Sequence, residues 1–186
     1  MDVFRANEII WYGLDFSKAK MIGSDGFKNP SELKSKLFNV LNNEICTNTD
    51  KFDLKSVFVK DKVINDLSLT DKLNESIDVT NIVTDNNYYA IQPDEIDGIV
   101  KNYNTKAKEG IGLVFIIESF DKTSATCNLY VTFFDISTKK VLLKERMDGH
   151  AGGAGIKSFW FNSLYNIFKE IENKKYNKWR EKAIKG

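Results

Sequence analysis

Arginine is nearly missing from this sequence: Arg5, Arg146 and Arg180 stand against 24 lysines. The planar arginine fork is the side chain best suited to bidentate recognition of phosphate, carboxylate and guanine, so its scarcity weighs against a nucleic-acid surface. No excess of either charge is present. With 27 basic and 26 acidic side chains the formal net charge is +1, which excludes a protein whose affinity rests on overall basicity. Cysteine is limited to Cys46 and Cys127, without a CxxC spacing, and supports neither a disulfide framework nor a zinc site. His150 is the sole histidine, too few for a His-rich metal centre, and no HExxH string occurs, so no metal or cofactor is expected. Only 2 prolines and 11 glycines occur, which argues against a low-complexity linker. The longest uninterrupted apolar run, Leu113–Ile117, falls far short of the ~20 residues that span a bilayer.

What is there describes an ordinary globular chain. Hydrophobic residues make up 42% of the 186, with 13 Phe, 7 Tyr and 3 Trp, enough to build one sizeable core. The 24 Lys, 18 Asn and 18 Ile are residues of A/T-rich codons, and we read their abundance as genome composition.

Along the chain, Glu8–Phe16 is rich in β-branched and aromatic residues and predicts a first strand. Ser17–Phe27, with Gly23, Ser24, Asp25 and Gly26, predicts a loop. Asn29-Pro30 is a helix start, and Leu33, Leu37, Val40, Leu41 and Ile45 follow at helical spacing. A shorter helix is expected after Asp50, a strand near Lys62–Asn65 and a helix near Thr70–Ser76. Gln92-Pro93-Asp94-Glu95 opens another helix. Gly112–Ser119 reads as a central strand covered on both faces, and short turns join it to strands at Ala125–Ile136 and Val141–Met147 as an antiparallel meander. Glycines from 149 to 155 precede a long helix from about Lys157 to Lys182. The sum predicts one α/β domain over residues 1–186: a mixed, mainly antiparallel sheet with packed helices and a long C-terminal helix. Residues 1–7 are expected to be flexible and 183–186 to form a tail.

The glycine stretch is the best candidate site. Glycines between a strand and a helix can place backbone amides and the positive helix end around a phosphate. A P-loop ending in Lys157-Ser158 would need glycines where Ala151 and Ile156 stand, and a dinucleotide fingerprint from Gly153 and Gly155 has Ser158 in its third glycine position. The expected ligand or partner surface is Gly149, His150, Gly152, Gly153, Gly155, Lys157, Ser158, Phe159 and Trp160, the two aromatics serving as anchors. No catalytic residue is assigned. Glu118, Asp121 and Asp135 lie at predicted strand ends and offer a carboxylate pair only if the fold brings two together. Charge is unevenly spread: residues 61–100 carry nine acids and two lysines, whereas 169–186 carry seven basic residues and three acids.

The strings GIGLVFIIESFDK, LYVTFFDISTKKVLL and GHAGGAGIKSFWFNSLYNIFKEI, with GLDFSKAKMIG earlier, resemble a Bacteroidetes family of secreted or envelope proteins of unknown function. More distantly, the strand, turn, strand, glycine loop and long helix resemble the α/β domain of envelope assembly lipoproteins, such as penicillin-binding-protein activators and the curli-secretion lipoprotein. The resemblance implies a non-enzymatic cell-envelope protein that acts through an envelope protein partner. The alternative is a small-ligand or anion-binding protein, or a hydrolase, using the Gly149–Gly155 loop. The compartment is expected to be periplasmic or envelope-associated if a signal peptide has been removed, and otherwise cytoplasmic.

Overall fold

The computed structural model describes residues 2–185. Its centre is β5 (Ile111–Asp121), in which every residue is buried. Such a strand needs a hydrogen-bonded partner on each edge, because no water reaches its backbone. One edge is met locally by β6 (Thr126–Asp135), which runs antiparallel along the whole of β5 and in turn pairs with β7 (Val141–His150). The hairpin turns are built by carboxylates. Asp121 accepts from the amides of Thr123 at 2.8 Å and Ser124 at 3.2 Å, and Asp135 accepts from the Thr138 amide at 2.9 Å.

The other edge is shared by two short parallel strands laid end to end. β1 (Glu8–Asp15) covers Gly112–Ile116, and β2 (Lys20–Ile22) covers Ser119–Asp121. Outside them lie β3 (Lys62–Asn65) against β1 and β4 (Val83–Thr84) against β2, both parallel. Four of the six strand pairings of this seven-stranded sheet are therefore parallel, which corrects the expectation of a mainly antiparallel sheet. The reason is that β2, β3 and β4 find partners far away in sequence. Ser17–Phe27, expected as a loop, contains β2.

β3 ends opposite Trp11, and from there the outer edge of β1 is completed by side chains instead of a strand. Thr70 Oγ1, on α3 (Ser68–Glu75), donates to the Tyr12 carbonyl at 2.5 Å. Asn42, on α1 (Asn39–Thr47), accepts from the Leu14 amide at 2.6 Å, and Asn74 accepts from the Phe16 amide at 2.8 Å. Asn74 also donates to the Leu14 carbonyl at 2.9 Å. Gly13 makes room for this arrangement. Its φ is +91°, and a Cβ there would lie 2.6 Å from Asn42 Oδ1.

Helices cover both faces. On one face, Trp11, Phe115, Ile117, Leu129 and Phe133 pack against α1, α2 (Leu54–Phe58) and α5 (Ile156–Glu170). On the other, Tyr12, Val114, Ile116, Tyr130 and Phe134 meet α4 (Pro93–Lys101) through Ile96 and Val100. A π-helical turn at Ile171–Lys175 joins α5 to α6 (Tyr176–Lys185), so the long C-terminal helix is present. Val3, Phe4 and Ala6 lie against the body. Lys60, 6% exposed, donates to the carbonyls of Val3 at 2.6 Å and Ala6 at 2.8 Å, and its burial lowers its pKa.

Replacing Asn42 with Leu leaves the Leu14 amide buried without its partner. We expect a loss of about 1–3 kcal/mol in denaturant unfolding, against less than about 0.5 kcal/mol for the exposed neighbour Asn43→Leu. Equal effects of the two substitutions would refute the strand-completing role of Asn42.

Candidate functional site

The carboxyl ends of the parallel strands β2, β4 and β5 point to one pole, where open α/β sheets usually carry their binding crevices. Three loops meet there: 23–29 after β2, the 122–125 turn, and 151–155 after β7. They are tied together by backbone bonds from Lys122 to Ile22 at 2.8 Å and from Ala151 to Ala125 at 2.7 Å. α5 begins at this pole.

The structure divides the expected site residues among different environments. Gly149 and His150 belong to the end of β7. A Cβ on Gly149 would sit 2.2 Å from the Ser163 carbonyl oxygen, so this glycine lets α5 lie directly on the strand. His150 is exposed, and its carbonyl accepts from Asn166 Nδ2 at 2.9 Å. One turn earlier, Asn162 Nδ2 donates to the Gly152 carbonyl at 2.7 Å. These two asparagines clamp the chain leaving β7 onto α5. Neither asparagine is among the residues expected at the site, although their i, i+4 spacing beside the glycines is the available signal. Gly153 has φ +112°, and Gly155 takes φ 80°, ψ 154°, a region accessible essentially to glycine alone.

Trp160 is not a surface anchor. It is 1% exposed and stacks between Phe27, at 5.8 Å between centroids, and Phe120, at 4.4 Å. Phe120 continues edge-on to Phe16, which stacks on Phe38 at 4.0 Å, so an aromatic column runs from the pole into the core. Phe159 is half-buried beneath the Lys122 ammonium, 3.2 Å from its ring centroid.

Two recesses flank the start of α5. The first is a groove of about 300 Å³ with an apolar floor of Phe27, Leu33, Leu37 and Ile156, rimmed by Asp25, Lys28, Glu32 and Lys36. Ile156 is 41% exposed, one of few large apolar side chains so open to water. The second is polar and includes Glu44, Lys51, Lys157, Ser158 and Asn162. There Lys157 pairs with Glu44 at 2.8 Å, and that hydrogen bond holds the Glu44 carboxyl below its usual pKa. His150 lines neither recess. Lys157 and Ser158 thus share the polar recess, and His150 stands at the strand end outside it.

The strand-end acids do not form a pair. Asp121 stands opposite Thr126 and Asp135 opposite Ile111, at the two ends of the β5–β6 ladder. Glu118, 1% exposed, accepts from Arg146 Nη2 at 2.7 Å and from the Ile91 amide at 3.0 Å. Burial pushes both thiols up, Cys46 to about 11 and Cys127 further. No group of three or more His, Cys, Asp or Glu able to hold a metal occurs among the described residues, and no helix there is long and apolar enough to cross a membrane.

No family model and no curated protein sequence matches the chain. Among solved structures, the LpoB C-terminal domain from Salmonella enterica is similar over 78% of this chain and 83% of that one, at 8% identity and a TM-score of 0.34.

The glycines are expected to respond differently to alanine. Gly149→Ala should cost about 1–3 kcal/mol by forcing α5 off the strand. Gly152→Ala, whose Cβ meets nothing within 4 Å, should change stability by less than about 0.5 kcal/mol. Asp135 gives a pH signature. Hydrogen bonds from Ser137 and Thr138 hold its carboxyl at about 2, below the value near 4 of an unfolded chain. Its stabilisation is complete above the unfolded value and is lost as pH falls towards about 2. The advantage of the parent over Asp135→Asn in thermal unfolding should accordingly shrink across that acid window, and a constant gap would contradict it.

Proposed function

We propose that the protein is a non-enzymatic component of the cell envelope, on its periplasmic side, that holds a protein partner at the pole formed by the 23–37 segment and the start of α5. The apolar groove over Phe27, Leu33, Leu37 and Ile156 carries this reading. Its volume of about 300 Å³ is at the lower limit of small-molecule sites and suits one large inserted side chain. A mixed-charge rim around an apolar floor is the ordinary anatomy of a protein interface. Burying one such side chain supplies about 1.5–3 kcal/mol, enough for a hot spot. The polar recess that holds Lys157 and Ser158 does not include His150, which speaks against the hydrolase alternative. The compartment rests on the sequence resemblance to envelope proteins.

A photo-crosslinking residue placed at Ile156 in native cells should trap one discrete partner, whereas the same probe at Lys140, in the turn at the far end of the sheet, should not. Leu33→Asp combined with the Ile156 probe should abolish the adduct. Absence of an adduct at Ile156, or the same adduct at Lys140, would sink the reading. Changes in the amide resonances of residues 155–158 on adding inorganic phosphate would favour the anion-binding alternative. Fractionation that leaves the protein in the cytoplasm would refute the envelope assignment alone.

A further inference from the structure

We infer that the outward half of α6 is an electrostatic docking surface for an anionic phospholipid bilayer. α6 seats Tyr176 (2% exposed) and Trp179 (7% exposed) on the core, where Phe58 and Phe4 pack on Tyr176, and water meets the other side of the helix. The water side carries Lys178, Arg180, Lys182 and Lys185, all exposed, against the single acid Glu181.

The neighbouring cations are satisfied and these are not. Lys169 pairs with Glu172 at 2.7 Å, and Lys175 lies 3.7 Å from Glu145 and 3.8 Å from Glu170. No acid lies within 4 Å of the ammonium or guanidinium of Lys174, Lys178, Arg180, Lys182 or Lys185 among the described residues. The acidic stretch 61–100 leaves this helix unneutralised; its Asp66 and Asp97 meet Lys106 and Lys144 instead. From Lys174 to Lys185 the row is about 16 Å long, given 1.5 Å per residue.

A charge surface of this kind selects a diffuse array of anions. Lysine ammoniums act as mobile point charges and suit lipid headgroups, while α6 carries a single bidentate fork, Arg180, and no exposed aromatic on which a base could stack. Ile184, 78% exposed in the last turn, adds the apolar tip that interfacial helices place at the headgroup boundary. A phosphate groove has no use for it. Each cation held near an anionic surface strengthens adsorption by about fivefold. The surface lies at the other end of the C-terminal helix from the groove over Ile156, so a membrane-bound molecule keeps that groove accessible.

Sedimentation of the full chain with vesicles of phosphatidylcholine, with and without phosphatidylglycerol, tests the inference. Binding should require the anionic lipid and weaken with added salt. The triple variant Lys178→Glu, Lys182→Glu, Lys185→Glu should lose at least on the order of 100-fold in affinity. Its melting temperature should stay near that of the parent, because all three positions are exposed. Ile184→Ser should weaken adsorption several-fold at constant charge. Binding to neutral vesicles alone, undiminished binding by the triple variant, or tighter binding to duplex DNA or RNA than to anionic vesicles at the same salt would overturn it.

Discussion

β5 is buried on both faces and along its full length, and a strand in that position must have each backbone amide and carbonyl paired within the protein. One edge is satisfied cheaply, by a turn of a few residues and an antiparallel neighbour. The other is assembled from two short strands that no local signal joins, β1 and β2, each reinforced by a further short parallel strand. The same requirement then passes outward. Where β3 stops, the edge of β1 falls to Thr70, Asn42 and Asn74, whose polar atoms act in place of a strand. Burying three such side chains costs their hydration, and they are kept because an orphaned backbone group beside β5 costs more.

The split edge also sets the position of the pole. β2 extends the parallel array beyond the end of β1, so the carboxyl ends of β2, β4 and β5 lie together next to the end of β7. The chain leaving β7 has to cross directly into α5. Close contact at Gly149 and the two amide clamps from Asn162 and Asn166 make that crossing tight. The aromatic column beneath it, from Phe27 through Trp160 to Phe38, gives the groove over Ile156 a rigid floor.

The parts legible in the sequence were those whose partners are near in the chain. The β5–β6–β7 meander follows from alternating apolar runs joined by Asp-initiated turns. α4 follows from Pro93 and from Glu95, whose carboxylate accepts from the Gln92 amide at 2.8 Å. β2 and β4 were invisible, because three- and two-residue strands have no period to detect and owe their conformation to a partner supplied by the fold. Around the candidate site, the glycine crossing from strand to helix was legible, but the surroundings of its residues were not. Glycines marked the crossing, yet Trp160 next to them is core, while Leu33 and Leu37 from a distant helical segment form the floor of the groove with Phe27.

By itself the sequence determined the element types over most of the chain, the hairpins, the long C-terminal helix and the concentration of lysine along its last turns, since each depends on residues within a few positions of one another. Only the tertiary structure decided the parallel majority of strand pairings, the recess that gathers Lys157 and Ser158 without His150, and the seating of Tyr176 and Trp179 that turns the lysines of α6 outward. Those outcomes depend on which distant segment satisfies a buried backbone edge or covers an apolar side chain. Such contacts are won by packing and leave no local period in the chain.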